Sequence, residues 1–199
     1  MPARRLKKSS QHRLIYPFVN RKGEIKDYRQ AFPTLMQLAQ DGDAYAQNVV
    51  GFCFDTSSGV RQNRPKALYW YRQAAKGGSP EATYNLALLF DEGIGVKRDI
   101  GRALTLYKRG ADVGHAWCQC NLGSLYADAK QDLAKAIYWW RKAARRDDSI
   151  AQFNLGMAYL DGEGTRRNSR RAMLWLRRAA ANGHSKAKRV LRRTARSQE

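Results

Sequence analysis

Three histidines, His12, His115 and His184, and three cysteines, Cys53, Cys118 and Cys120, are the side chains best suited to hold a metal or attack an electrophile. Their spacing supports neither chemistry. Cys118 and Cys120 stand two apart, which on a helix turns them to different sides. The chain has no nucleophile elbow, phosphate-binding loop, His-Glu-x-x-His or dinucleotide fingerprint. Its carboxylates are spread singly, with no pair whose context suggests acid–base work. No catalytic residue, metal or cofactor is therefore expected, and the chain reads as a non-enzyme. The remaining binding chemistry is that of amides: Asn85, Asn121 and Asn154 recur at steps of 36 and 33 residues, and a carboxamide both donates to and accepts from a peptide backbone.

The recurrence of those asparagines belongs to a repeat that runs through most of the chain. Val50-Gly51, Leu86-Ala87, Leu122-Gly123 and Leu155-Gly156 follow one another at 36, 36 and 33 residues, a period typical of stacked helical repeats. Asn63, Asp99, Asp132 and Asn168 each lie four residues before an alanine, Ala67, Ala103, Ala136 and Ala172, where a helix N-cap is needed. Glycines follow at Gly77-Gly78, Gly114 and Gly183, as a left-handed C-cap requires. Each unit is thus a helix A, a loop and a helix B. Trp70, Tyr71, Tyr107, Trp139, Trp140 and Trp175 recur on helix B at the phase of inter-helix packing rather than of a stacking surface.

The pattern Ala-x-x-Asn-Leu-Gly-x-x-Tyr, Gly-x-Gly, Ala-x-x-Trp-(Tyr/Trp)-x-x-Ala-Ala-x-x-Gly, read most clearly from Ala151 to Gly183, closely resembles the Sel1-like repeat, a relative of the tetratricopeptide repeat. The resemblance implies an all-α fold: a right-handed α/α superhelix of about four repeats, used for protein–protein contact without catalysis. The repeats fall at 43–78, 79–114, 115–147 and 148–183, after a half repeat at 27–42. Copy three departs from the pattern, with Asp128-Ala-Lys-Gln131 in place of Gly-x-Gly, and should keep its helices packed through a tighter connection. No copy carries the cysteine pair of the disulfide-bearing members. Pro33 interrupts the half repeat, so its helix is expected only from about Phe32 to Gln40.

The net charge of +20 is uneven. Residues 1–30 hold nine Lys/Arg against two acids, and residues 185–199 hold six against one. Residues 1–26 read as a basic, solvated arm, or, being free of acids to residue 23, as an organelle-targeting segment. Residues 184–199 read as a basic capping helix, N-capped by Ser185, and a tail. No run approaches the roughly 18 apolar residues of a membrane span, and three cysteines that make no paired framework suit a reducing, cytoplasmic setting. A monomer is expected.

Windows 43–58, 79–95, 115–129 and 148–165, which hold every helix A, contain no Lys or Arg. By the resemblance, helices A line a concave groove. On them Asn48, Phe52, Tyr84, Asn85, Leu88, Asn121, Phe153, Asn154 and Met157, with Val49, Cys120 and Ser124, should face a bound apolar or basic protein segment. The leading expectation is an adaptor or inhibitor. The alternative is a nucleic-acid-associated protein in which Arg4, Arg5, Lys7, Lys8, Lys186, Lys188, Arg189, Arg192 and Arg193, with the outer face, contact phosphates.

Overall fold

The structure is a computed structural model that describes Leu14, residues 17–20, 24–129 and 131–196. Its elements are α1 (Tyr28–Gln40), α2 (Ala44–Thr56), α3 (Arg64–Lys76), α4 (Pro80–Glu92), α5 (Ile100–Asp112), α6 (Ala116–Asp128), α7 (Leu133–Ala144), α8 (Ser149–Asp161), α9 (Ser169–Ala181) and α10 (Ser185–Arg196). Among the described residues the sole β feature is an antiparallel bridge between Val19 and Ile25, inside the segment expected to be an arm. The chain parts into two compact units, Met1–Ala103 and Leu104–Glu199, and each is described by itself.

The helix starts follow the caps. Asn63, Asp132 and Asn168 accept the amide three residues on, at 3.0, 3.0 and 2.9 Å, and Asp99 does the same for Arg102 at 2.9 Å. Helices A start the same way at Asp43, Ser79 and Asp148. Histidine takes the role twice. His115 Nδ1 accepts from the Cys118 amide at 3.3 Å, and His184 Nδ1 accepts from Ala187 at 3.2 Å. The cap of α10 is therefore His184, not Ser185.

In the first unit α1 begins at Tyr28, four residues before its expected start, and runs through Pro33. Asp27 caps it by accepting from Arg29 and Gln30, and burial of Ala31, Leu35, Leu38 and Ala39 offsets the bond that proline removes. α2 and α3 close tightly: a Cβ on Gly51 would stand 2.7 Å from Tyr71 Cδ1. The loop glycines have their own reason. Gly59 lies so close to the start of α1, and Gly95 to Arg64 at the start of α3, that a Cβ would stand 2.6 and 2.7 Å from them.

In the second unit the same joint recurs. A Cβ on Gly123 would meet Trp140 Cδ1 at 2.5 Å, and one on Gly156 would meet Leu176 Cγ at 2.9 Å. The short loop of copy three leaves α6 and α7 packed, and it turns through Gln131 at φ 49°. Ala136, Ile137, Trp140, Ala151, Leu155 and Tyr159 form one buried cluster across α7 and α8, while Leu176, Ala179 and Ala187 join α9 to α10. A glutamine braces the helix pair here twice, Gln119 Nε2 donating to Ala111 O at 3.0 Å and Gln152 to Ala144 O at 3.1 Å, as Gln47 does to Ala39 O at 3.0 Å in the first unit. Tyr71 and Tyr107 are buried, as are Trp139 and Trp140, so these repeat-phase aromatics are packing residues.

Candidate functional site

Helices A of both units keep one side partly open, and the candidate residues fall on it unequally. In the first unit Asn48, Phe52, Tyr84 and Leu88 are half-buried. Asn85 is 8% exposed and donates its Nδ2 to Asn48 Oδ1 at 3.0 Å, so the two amides bridge α2 and α4. The Phe52 ring lies 5.7 Å from Tyr28. Val49 is buried, a correction to its expected place on this face. It stands 100° round the helix from Asn48, at the register of Asn85, which is buried as well.

In the second unit Asn121 and Ser124 are half-buried. Asn121 Nδ2 donates to the Tyr107 hydroxyl at 3.0 Å, and Ser124 Oγ donates to Cys120 O at 3.3 Å. Cys120, also expected on the face, is only 2% exposed, because so small a side chain is covered by its neighbours. Phe153 and Met157 pack against the α9–α10 cluster, and the Phe153 ring stacks on His184 at 4.5 Å and 19°. Asn154 beside them is half-buried.

The same side of helices A continues one turn toward their N-termini. Tyr45, Glu81, Trp117 and Ile150 share one position, three residues before Asn48, Tyr84, Cys120 and Phe153. Tyr45, Glu81 and Trp117 are half-buried and Ile150 is 53% exposed. The signal was available as a helical i−3 continuation of the same stripe. Burial, then the neighbouring Tyr28, Asp43 and Glu81, push the Tyr45 hydroxyl above its ordinary pKa, so it stays a neutral donor.

Cys53 and Cys120 have no reactive poise. Burial raises Cys53 to about 12, and burial with Asp148 close by pushes Cys120 up as well. A thiolate is what metal ligation and nucleophilic attack require. Among the described residues no three His, Cys, Asp or Glu side chains gather as a metal group, and no helix is long and apolar enough to cross a membrane.

Of the basic candidates, Lys186, Lys188, Arg189, Arg192 and Arg193 are exposed on α10, whose Ala187 is buried. Arg4, Arg5, Lys7 and Lys8 lie outside the described residues.

Paired helices with caps, tight glycine joints and amide braces at one repeating register define an α/α repeat protein. The chain belongs to the Sel1 repeat family: the Sel1 repeat matches at residues 44–79, 80–115, 118–148 and 149–184. As a family these repeats are protein–protein interaction modules, generally without catalysis. Among solved structures it is similar to a Sel1 repeat protein from Oxalobacter formigenes, at 29% identity and TM-score 0.81, over 89% of this chain and 74% of that one. It is also similar to c5321, a protective antigen of uropathogenic Escherichia coli with an SLR fold, at 34% identity and TM-score 0.79. That match covers 89% of this chain but 38% of c5321. Immunity protein Pa5087 of Pseudomonas aeruginosa shares the fold alone, at 16% identity and TM-score 0.60, over 89% of this chain and 67% of that one. No curated protein matches the sequence significantly.

Proposed function

We propose that the chain is a non-catalytic adaptor or inhibitor that holds a partner protein segment against the open side of its helices A. One observation supports this above all. Helices A carry no Lys or Arg in a protein of net charge +20, and their open side combines aromatic and aliphatic groups with amides. Glu81, Asp91, Glu92 and Asp161 edge the same helices, which favours an apolar or basic segment over an acidic one. A monomer belongs to the same reading, and so does a reducing, cytoplasmic setting, since Cys53, Cys118 and Cys120 are buried and none is in a disulfide.

The test is cross-linked capture of the partner by variants. Trp117→Ala with Ile150→Ala is expected to weaken capture by about 1–3 kcal/mol while the fold persists. Arg141→Glu with Arg177→Glu should change it little. Retained capture in the first variant, or loss in the second, moves the binding surface to helices B. A second reading is favoured by residues 166–196, which hold twelve Lys/Arg and no acid: electrostatic association with nucleic acid or another polyanion, weakening steeply as salt rises.

A further inference from the structure

Among the described residues, each unit displays one tyrosine that packing does not account for. Tyr69 on α3 is 54% exposed and Tyr138 on α7 is 50% exposed, and they occupy the same position of their repeats. Each ring stands edge-on to the tryptophan that follows it. Tyr69 lies 5.1 Å from Trp70 at 80°, and Tyr138 lies 5.0 Å from Trp139 at 82°. The tryptophans are half-buried or buried, so both tyrosine rings are held in one orientation with much of their surface in solvent.

Cations flank each ring on the same helix. Lys66 and Arg72, both exposed, lie one turn before and after Tyr69, and α3 contains no carboxylate. On α7 the Lys142 ammonium sits 4.6 Å over the Tyr138 ring, and Arg145 follows, exposed. Lys135 is held by Asp132 at 2.7 Å, and Arg141 donates to the Tyr159 hydroxyl at 3.3 Å. Lys142, which also lies 4.8 Å over the Trp139 ring, and Arg145, just past the helix end, have no carboxylate or hydroxyl partner among the described residues and are the cations left for an external anion.

A fixed aromatic ring beside cations matches an unpaired base with its phosphates: the base stacks and the phosphates are neutralised. A duplex hides its base faces. An acidic peptide would use the cations and leave the ring idle. We propose that α3 and α7 each present a stacking platform for one unpaired base of single-stranded nucleic acid, with Lys66 and Arg72 in one unit and Lys142 and Arg145 in the other holding the adjoining phosphates. This rests on the polyanion reading and adds the stacking. Leu174, 49% exposed at the same position of α9, leaves that helix to contribute charge alone.

The experiment is fluorescence anisotropy of a labelled oligothymidylate of about 20 nucleotides against the full chain across a salt series starting near 50 mM. Tyr69→Ala with Tyr138→Ala, checked for an unchanged circular dichroism spectrum, is expected to bind about tenfold or more weakly with the same log–log salt slope. Tyr69→Trp with Tyr138→Trp should hold or tighten binding, and Arg72→Gln with Lys142→Gln should reduce the slope. A duplex of equal length and oligoglutamate should both bind more weakly than the single strand. Unchanged affinity in the alanine variant overturns the platforms while leaving the polyanion reading intact. Equal binding of duplex or oligoglutamate overturns the single-strand assignment. No binding at the lowest salt removes both readings.

Discussion

His184 does two things with one ring: its Nδ1 caps α10 by accepting from Ala187, and its face stacks on Phe153. Protonation removes the acceptor and places a positive charge at the positive end of a helix dipole. Burial, then Lys186, lowers its pKa below the ordinary 6.5, with Asp148 opposing. A depressed pKa means that the unfolded chain takes up the proton first as pH falls. Stability contributed by His184 is thus present above about 6.5 and is lost as pH falls through the folded pKa. His184→Asn, which keeps a cap acceptor that does not titrate, is expected to flatten the dependence of the urea midpoint between pH 7.5 and 5.5. An equally steep profile in the variant would deny the histidine this role. A second residue is strained. Asp147 has φ 61° at the position where Gly78, Gly114 and Gly183 have φ of 84°, 86° and 88°. Asp147→Gly is expected to raise stability in urea unfolding by about 0.5–1 kcal/mol.

At the scale of the element, the joint between helices A and B rests on a missing Cβ. Gly123→Ala gains helix propensity of about 1 kcal/mol. It also drives a methyl to 2.5 Å from Trp140 Cδ1 and 3.1 Å from Ala136 O, neither of which is the free end of a flexible chain. Overpacking of this kind costs about 1–3 kcal/mol, so a net loss of stability by thermal unfolding is expected. Gly156→Ala, which meets the more yielding Leu176 side chain at 2.9 Å, should lose less. These joints were legible in the sequence, because Gly51 and Gly156 each stand twelve residues before a B-helix cap, Asn63 and Asn168, and Gly123, in the copy with the short loop, stands nine before Asp132. The start of α1 was not, since Pro33 argues locally against a helix that Asp27 and a buried stripe nevertheless secure. The candidate face was half legible. Periodicity put Asn48, Phe52, Tyr84 and Leu88 on open sides of their helices. It carried no sign that Asn85 would be bonded to Asn48, or that Phe153 would be covered by His184, because those contacts join residues distant in sequence. The outward Tyr69 and Tyr138 were hidden for another reason: each adjoins a tryptophan that carries the stronger repeat signal.

At the scale of the whole molecule, 37 Lys and Arg stand against 17 Asp and Glu, a net charge of +20. Arg102–Asp99, Lys108–Asp112 and Lys135–Asp132 each join residues three or four apart, so they support single helices rather than tie one to another. Self-repulsion then weakens the compact state and is relieved by screening. Raising sodium chloride from about 20 to 200 mM is expected to raise Tm by about 3–6 °C. A fall in Tm would show that attractive pairs dominate instead.

The glutamine braces have a mechanical consequence. Gln47, Gln119 and Gln152 each tie their helix to the one before, whereas Thr83, at the same position of α4, turns its hydroxyl back to Ser79 O within its own helix at 2.8 Å. A chain pulled from its ends would meet a side-chain latch between α1 and α2 and none from Thr83 between α3 and α4. Within the first unit, the seam ahead of α4 relies instead on the Asn85–Asn48 bond, which ties α4 to α2 across α3 and would carry the load there.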